Sequence, residues 1–151
     1  MEDKQIVAPQ CFLFDHGEFY GKEILHGIVF IWDRQSAERE LIRSVRPGDL
    51  FLHRSFCGVS AVGRARSFVY RAPVPHWRRR ESCPGERGFA VEIEPLLLPE
   101  PIAVQKSEPA LLLLLKREDA ARFLRQIPAL LPGGSCADWA EYLFDNLPEA
   151  T

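Results

Sequence analysis

Phe89, Val91 and Ile93 alternate with Ala90, Glu92 and Glu94. A period of two belongs to an extended strand with one buried and one wet face, so whatever this chain folds into must contain a sheet through that segment. Two more strands are read close by, at residues 50–53 and 59–65, and residues 68–70 continue the second past a bulge. Residues 72–88, with Pro73, Pro75 and Pro84, form an irregular loop before the alternating strand. A loop of that length inside a compact domain is usually functional or disordered.

The flanking segments add helices at defined places. Three apolar runs between residues 6 and 32, with Asp15-His16-Gly17-Glu18 as a turn, are read as strands. Ser36 is placed to cap a helix to about Val45, with Glu38 in its first turn and Leu41, Ile42 and Val45 as its apolar stripe. Arg46-Pro47-Gly48-Asp49 stops it, because proline cannot continue a helix and glycine permits the reversal. Residues 111–115 read as a last buried strand, followed from about Glu118 by a helix carrying Ala120, Phe123, Leu124 and Ile127. Ser135 would cap a final helix with Cys136, Trp139, Ala140, Leu143 and Leu147 on one face. Strands, helix, strands, helices is the order of an α+β domain with a mixed or barrel-like sheet and short flanking helices. The 151 residues suit one domain, placed at residues 1–127, with a C-terminal helical appendage at 128–151.

No apolar run approaches the roughly 20 residues that cross a bilayer. The polar start Met1-Glu2-Asp3-Lys4 lacks the pattern of a signal peptide, so no membrane partner and a cytoplasmic setting are expected. Cys11, Cys57, Cys83 and Cys136 are scattered without a CxxC pair and are expected as reduced thiols. The net charge of −2 is unevenly spread. Residues 53–88 hold Arg54, Arg64, Arg66, Arg71, Arg78, Arg79, Arg80 and Arg87 against Glu81 and Glu86, a local +6 inside an otherwise acidic chain. That is the footprint of a polyanion site or of a solvated arginine-rich loop, and charge alone leaves both open.

The stretch from Val45 to Ile102 resembles the central portion of EVE-type domains of the PUA-like superfamily, relatives of the YTH domains. The matching pieces are the turn Arg46-Pro47-Gly48-Asp49, the strand Leu50-Phe51-Leu52-His53 and the Gly-flanked Gly58-Val59-Ser60-Ala61-Val62-Gly63. Gly88-Phe89-Ala90-Val91-Glu92-Ile93 and Pro101-Ile102 complete the series. Trp77 stands where YTH domains place a cage tryptophan, whereas Arg54 stands where an aromatic often follows the strand histidine. The resemblance implies a nucleic-acid reader, DNA or RNA, that takes a modified base into an aromatic pocket, as the sensing part of modification-dependent defence systems does.

A base lifted from its stack costs a few kcal/mol, which stacking and edge hydrogen bonds must return. The residues able to do so here are Trp77, Trp32, His53, Tyr70 and Phe51, with core packing as the competing role for Trp32, Phe51 and Tyr70 and a structural hydrogen bond for His53. Arg54, Arg64, Arg66, Arg71, Arg78, Arg79 and Arg80 suit phosphate contacts. Three rivals stand beside the reader. An RNA-processing enzyme of the PUA-like (ASCH) type would need a catalytic set, yet no GxSxG elbow, Walker loop, GxGxxG or HExxH is present. No catalytic residue and no cofactor is therefore expected. A zinc site could draw on His53, Cys57, His76 and Cys83, though their spacing fits no common pattern. A protein-interaction module could dock an effector through the Trp139 helix.

Overall fold

The computed structural model describes residues 9–81, 85–104, 110–124 and 126–127. It is a mixed α+β fold in which one sheet curls into a half-barrel carrying a few short helices. The strands are β1 (Cys11–Asp15), β2 (Ile28–Trp32), β3 (Leu50–Ser55), β4 (Gly58–Ala65), β5 (Tyr70–Pro73), β6 (Arg87–Ile102) and β7 (Leu112–Leu114). The helices are α1 (Tyr20–His26), α2 (Ser36–Ile42) and α3 (Arg117–Leu124), with 3-10 turns at Gly17–Phe19 and His76–Glu81.

The sheet runs β2-β6-β4-β3-β1-β7, and β5 joins it along β6. β6 causes the curl. Its first part pairs with β2 from Gly88 to Glu92 and with β5 from Arg87 to Ala90, while Ile93 onward pairs with β4. One strand thus belongs to two differently directed ladders. β1 and β3 run parallel, Cys11 opposite Leu50 and Asp15 opposite Arg54. Parallel neighbours need a long crossover, and here α1, β2 and α2 lie between them in the chain.

Alternation along the central strands divides the interior in two. Phe12 and Phe14 of β1 point to a core shared with Phe51, Ile24 and Ile42. Cys11 and Leu13 point the other way, to Leu50, Leu52, Val59, Val62 and the apolar face of α3. The expected helix positions Ala120, Phe123, Leu124 and Ile127 are all buried there. A third, smaller cluster gathers Phe30, Trp32, Ala72, Val74 and Ala90 at the β2–β6–β5 end.

Several sequence expectations are corrected. Residues 20–26 form a helix rather than a strand, closed by Gly27 in the left-handed region (φ 63°), the usual helix C-terminus signal. Ser36 does not cap α2: the cap position is Gln35, with no side-chain capping bond, and the helix ends at Ile42. Residues 70–73 do not extend β4 but make a separate strand on β6. The wet-face assignment holds for Glu92 and Glu94, whereas Ala90 is fully buried in the third cluster. The stop at residues 46–49 has a clear mechanism. The Asp49 carboxylate accepts the Arg46 amide at 2.9 Å and the Gln10 amide at 3.0 Å, fixing the turn against the start of β1. The Trp139 helix and the 128–151 appendage lie outside the described residues.

Candidate functional site

The carboxyl ends of β1, β2 and β3 converge on one cleft of about 390 Å³. Its walls come from His16 and Phe19 after β1, Trp32, Arg34 and Gln35 at the end of β2, Phe56 at the β3–β4 turn, and Arg78 from the second 3-10 turn. The Arg34 guanidinium lies 4.6 Å over the Trp32 ring, and that of Arg78 lies 4.6 Å over Phe19. Each of these rings therefore has one face occupied by a planar cation.

Beneath the cleft runs a buried polar chain. The Glu23 carboxylate, projecting inward from α1, accepts four bonds: from His16 Nδ1 at 2.7 Å, Arg78 Nη2 at 2.6 Å, Arg78 Nε at 2.5 Å and the Trp77 indole N–H at 3.0 Å. Four donors match the lone-pair sites of a carboxylate. Because Glu23 can only accept, His16 carries its proton on Nδ1. Its bare Nε2 then accepts from His53 Nδ1 at 2.8 Å, so both tautomers follow from the geometry. His53 Nε2 is left without a hydrogen-bond partner among the described residues. The space it fills exists because residue 63 is glycine: a Cβ there would collide with His53 Nε2.

The electrostatics follow from burial. Desolvation pushes the Glu23 carboxyl up, but the Arg78 bonds and then the His16 bond outweigh it and hold the group below its ordinary range. Burial lowers His16, opposed by its bond to Glu23, and drives His53 well below the usual histidine value, with the neighbouring His16 acting in the same direction. At neutral pH the chain therefore holds one carboxylate, one guanidinium and two neutral imidazoles. A bidentate, fully bonded pair is the form in which buried charges are tolerated.

The candidate base-pocket residues separate on this framework. Trp32, 2% exposed, is packed in the third core cluster, the competing role named for it from the sequence, and it also borders the cleft. Trp77 does not face that cleft. Its indole stacks on His26 of α1 at 4.8 Å and its N–H is taken by Glu23. Phe51 is a core residue stacked on Phe12 at 5.3 Å, and His53 lies wholly buried under His16. Neither can be a pocket wall, because each is enclosed by the sheet and its helices. Tyr70 is half exposed on β5, away from the cleft lining.

The arginines separate as well. Arg78 is a correction: at 3% exposure and bonded twice to Glu23, it is an internal ion-pair partner rather than a phosphate contact. Arg54 pairs with Asp15 at 3.0 Å, Arg64 with Glu94 at 3.5 Å, and Arg71 lies 5.0 Å over Phe89 near Asp33. Arg66, Arg79 and Arg80 are exposed. The local excess of positive charge is thus partly balanced by carboxylates from distant parts of the chain, which no windowed count of charge can register. Among the described residues no group of His, Cys, Asp and Glu is arranged to hold a metal, and Cys83 lies outside them. No helix among them is long and apolar enough to cross a membrane.

Sequence reasoning missed His16, Phe19, Glu23, Arg34, Gln35 and Phe56. The one readable signal was Gly27, which ends α1 and would have turned residues 20–26 into a helix carrying an acid on its inner face.

No family model matches the chain, and no curated protein matches it. Its fold is similar to that of two solved bacterial proteins, both structural-genomics targets. The protein from Pseudomonas syringae is 16% identical with a TM-score of 0.56, covering 76% of this chain and 97% of its own. The protein from Pseudomonas putida is 15% identical with a TM-score of 0.55 and the same coverage. At such identity the likeness shows the fold alone: this chain shares a barrel-like α+β architecture with them over most of its length.

Proposed function

We propose that this chain is a nucleic-acid reader of the PUA-like class that takes one base into the cleft between Phe19 and Trp32. The observation that carries the reading is the pairing of two aromatic walls with two guanidinium groups around a space of about 390 Å³, within the roughly 300–1,000 Å³ of small-ligand pockets. A base has a π-face on which a guanidinium plane can stack and edge acceptors for donors. Glu23 takes two of the five Arg78 N–H groups. Gln35 uses its side-chain oxygen on the Trp32 amide at 3.1 Å, which turns its NH₂ group into an available donor beside the ring.

The buried chain explains how the floor stays rigid. Glu23 fixes Arg78 and His16 from below, so the Arg78 donors and the floor beside them are set before the ligand arrives and little ordering is needed on binding. A methyl on the bound base would add on the order of 0.8 kcal/mol if fully enclosed, enough to discriminate a modified base by several-fold. Exposed Arg79 and Arg80 and the rim residue Arg34 supply cations for the flanking phosphates.

The test is binding of purified protein to matched DNA and RNA oligonucleotides, unmodified and methylated, at two salt concentrations. The reading expects salt-sensitive binding that Arg34→Ala weakens on every oligonucleotide. Absence of binding to all of them at low salt would refute it.

A further inference from the structure

We propose that Phe56 is a wedge that enters base-paired nucleic acid and fills the gap left by the base taken into the cleft. This inference rests on the reading of the cleft as a base site and adds its substrate class: a duplex rather than an already single strand.

Phe56 is 81% exposed at the tip of the tight β3–β4 turn. A phenyl ring held in water gains nothing for the fold, and single exposed apolar residues are ordinary. Two observations set this one apart. It lines the mouth of the same cleft as Phe19 and Trp32. The turn that presents it is also braced rather than loose. Ser55 Oγ accepts the Cys57 amide at 3.3 Å and bonds Ser60 Oγ at 2.9 Å. Gly58 takes a φ of 120° that other residues rarely adopt, and a Cβ there would meet the Ile102 carbonyl at 2.7 Å. The ring is therefore carried on a short, stiff projection whose position relative to the cleft is fixed by β3, β4 and β6.

A duplex imposes a demand that a single strand does not. Moving one base outward breaks its pair and two stacking contacts, and an apolar side chain inserted between base steps replaces part of that stacking. A stiff aromatic tip adjoining the receiving cleft meets the demand without rearrangement. On a single strand there is no partner base to leave behind and no gap to fill, so the ring is left with its rim contact alone.

The test compares wild type and Phe56→Ala on one target sequence as single strand, as fully paired duplex and as a duplex with the target base mispaired, in DNA and in RNA. Because Phe56 is exposed, its replacement leaves the fold intact, and thermal unfolding verifies that. The expected result is a single-strand loss of no more than about threefold, from the rim contact that Phe56 makes at the cleft. On the paired duplex of the preferred nucleic acid the variant loses about tenfold to a hundredfold, the range that loss of one stacked aromatic produces. The loss shrinks on the mispaired duplex, and Phe56→Leu recovers part of it. Equal losses on single strand and duplex, or no loss on either, would overturn the wedge while leaving the cleft reading intact. Wild-type protein that binds none of the probes would overturn both.

Discussion

The two faces of β1 and β3 differ in kind although they alternate residue by residue. On one face Cys11, Leu13, Leu50 and Leu52 meet α3 in a core of hydrocarbon and one thiol. On the other, Phe12, Phe14 and Phe51 surround a polar chain that runs from His53 through His16 and Glu23 to Arg78. The first face gains from area removed from water and tolerates changes that keep volume. The second is held by directional bonds, four of which end on one carboxylate, so each member depends on the others. The cleft lies over the face whose geometry is fixed by bonds.

The largest expected difference comes from like-sized substitutions on the two faces. Glu23→Gln leaves the Arg78 cation buried without its counter-charge and is expected to cost about 3–5 kcal/mol in chemical denaturation. Leu52→Met, on the apolar face, should cost less than about 1.5 kcal/mol. Equal costs would mean that the polar chain is not the more fragile side.

The pH limits should also divide by face. The folded values of His16 and His53 are lowered, so below the ordinary histidine value of 6.5 the unfolded chain binds protons that the native state refuses. Stability from these groups is complete above about pH 6.5 and falls as the pH drops further, and Glu23, also lowered, adds to the decline below its ordinary 4.5. The urea midpoint at pH 5.5 should lie clearly under that at pH 7.5. On the apolar face, burial and then nearby Asp49 push the Cys11 thiol from 9.0 to about 12. The unfolded thiol ionises above pH 9 while the folded one does not, so stability is lost as the pH rises past that point. Replacing Cys11 with Ala should reduce this alkaline loss and leave the acid limb unchanged, with Tyr20 and Tyr70, both raised by burial above their ordinary 10.0, still contributing at higher pH.

The smallest effect on folding is expected at the cleft rim. Arg34→Ala removes an exposed guanidinium and should change stability by no more than about 0.5 kcal/mol, while weakening oligonucleotide binding. A stability loss as large as that of Glu23→Gln would show that Arg34 is a structural residue.

Sequence reasoning found the frame because strands and their turns are local. The alternation at residues 89–94, the stop at Pro47-Gly48 and the α3 stripe are each legible within a few positions. The polar chain is not local: Glu23 and Arg78 are 55 residues apart and His16 and His53 are 37 apart. Arg78 looked like one of three neighbouring surface cations, and only the fold separates it from Arg79. Trp77 looked available because its loop is polar, yet its indole N–H is bonded to a buried acid 54 residues away.

The central claim is that Trp32, and not Trp77, adjoins the ligand. The most direct measurement follows the three tryptophan indole N–H signals by nuclear magnetic resonance during titration with an oligonucleotide that binds, assigning them with Trp77→Phe and Trp139→Phe. If that claim holds, the Trp32 signal moves with ligand and the Trp77 signal, whose N–H is bonded to Glu23, stays near its free position. Movement of Trp77 with an unchanged Trp32 would contradict it.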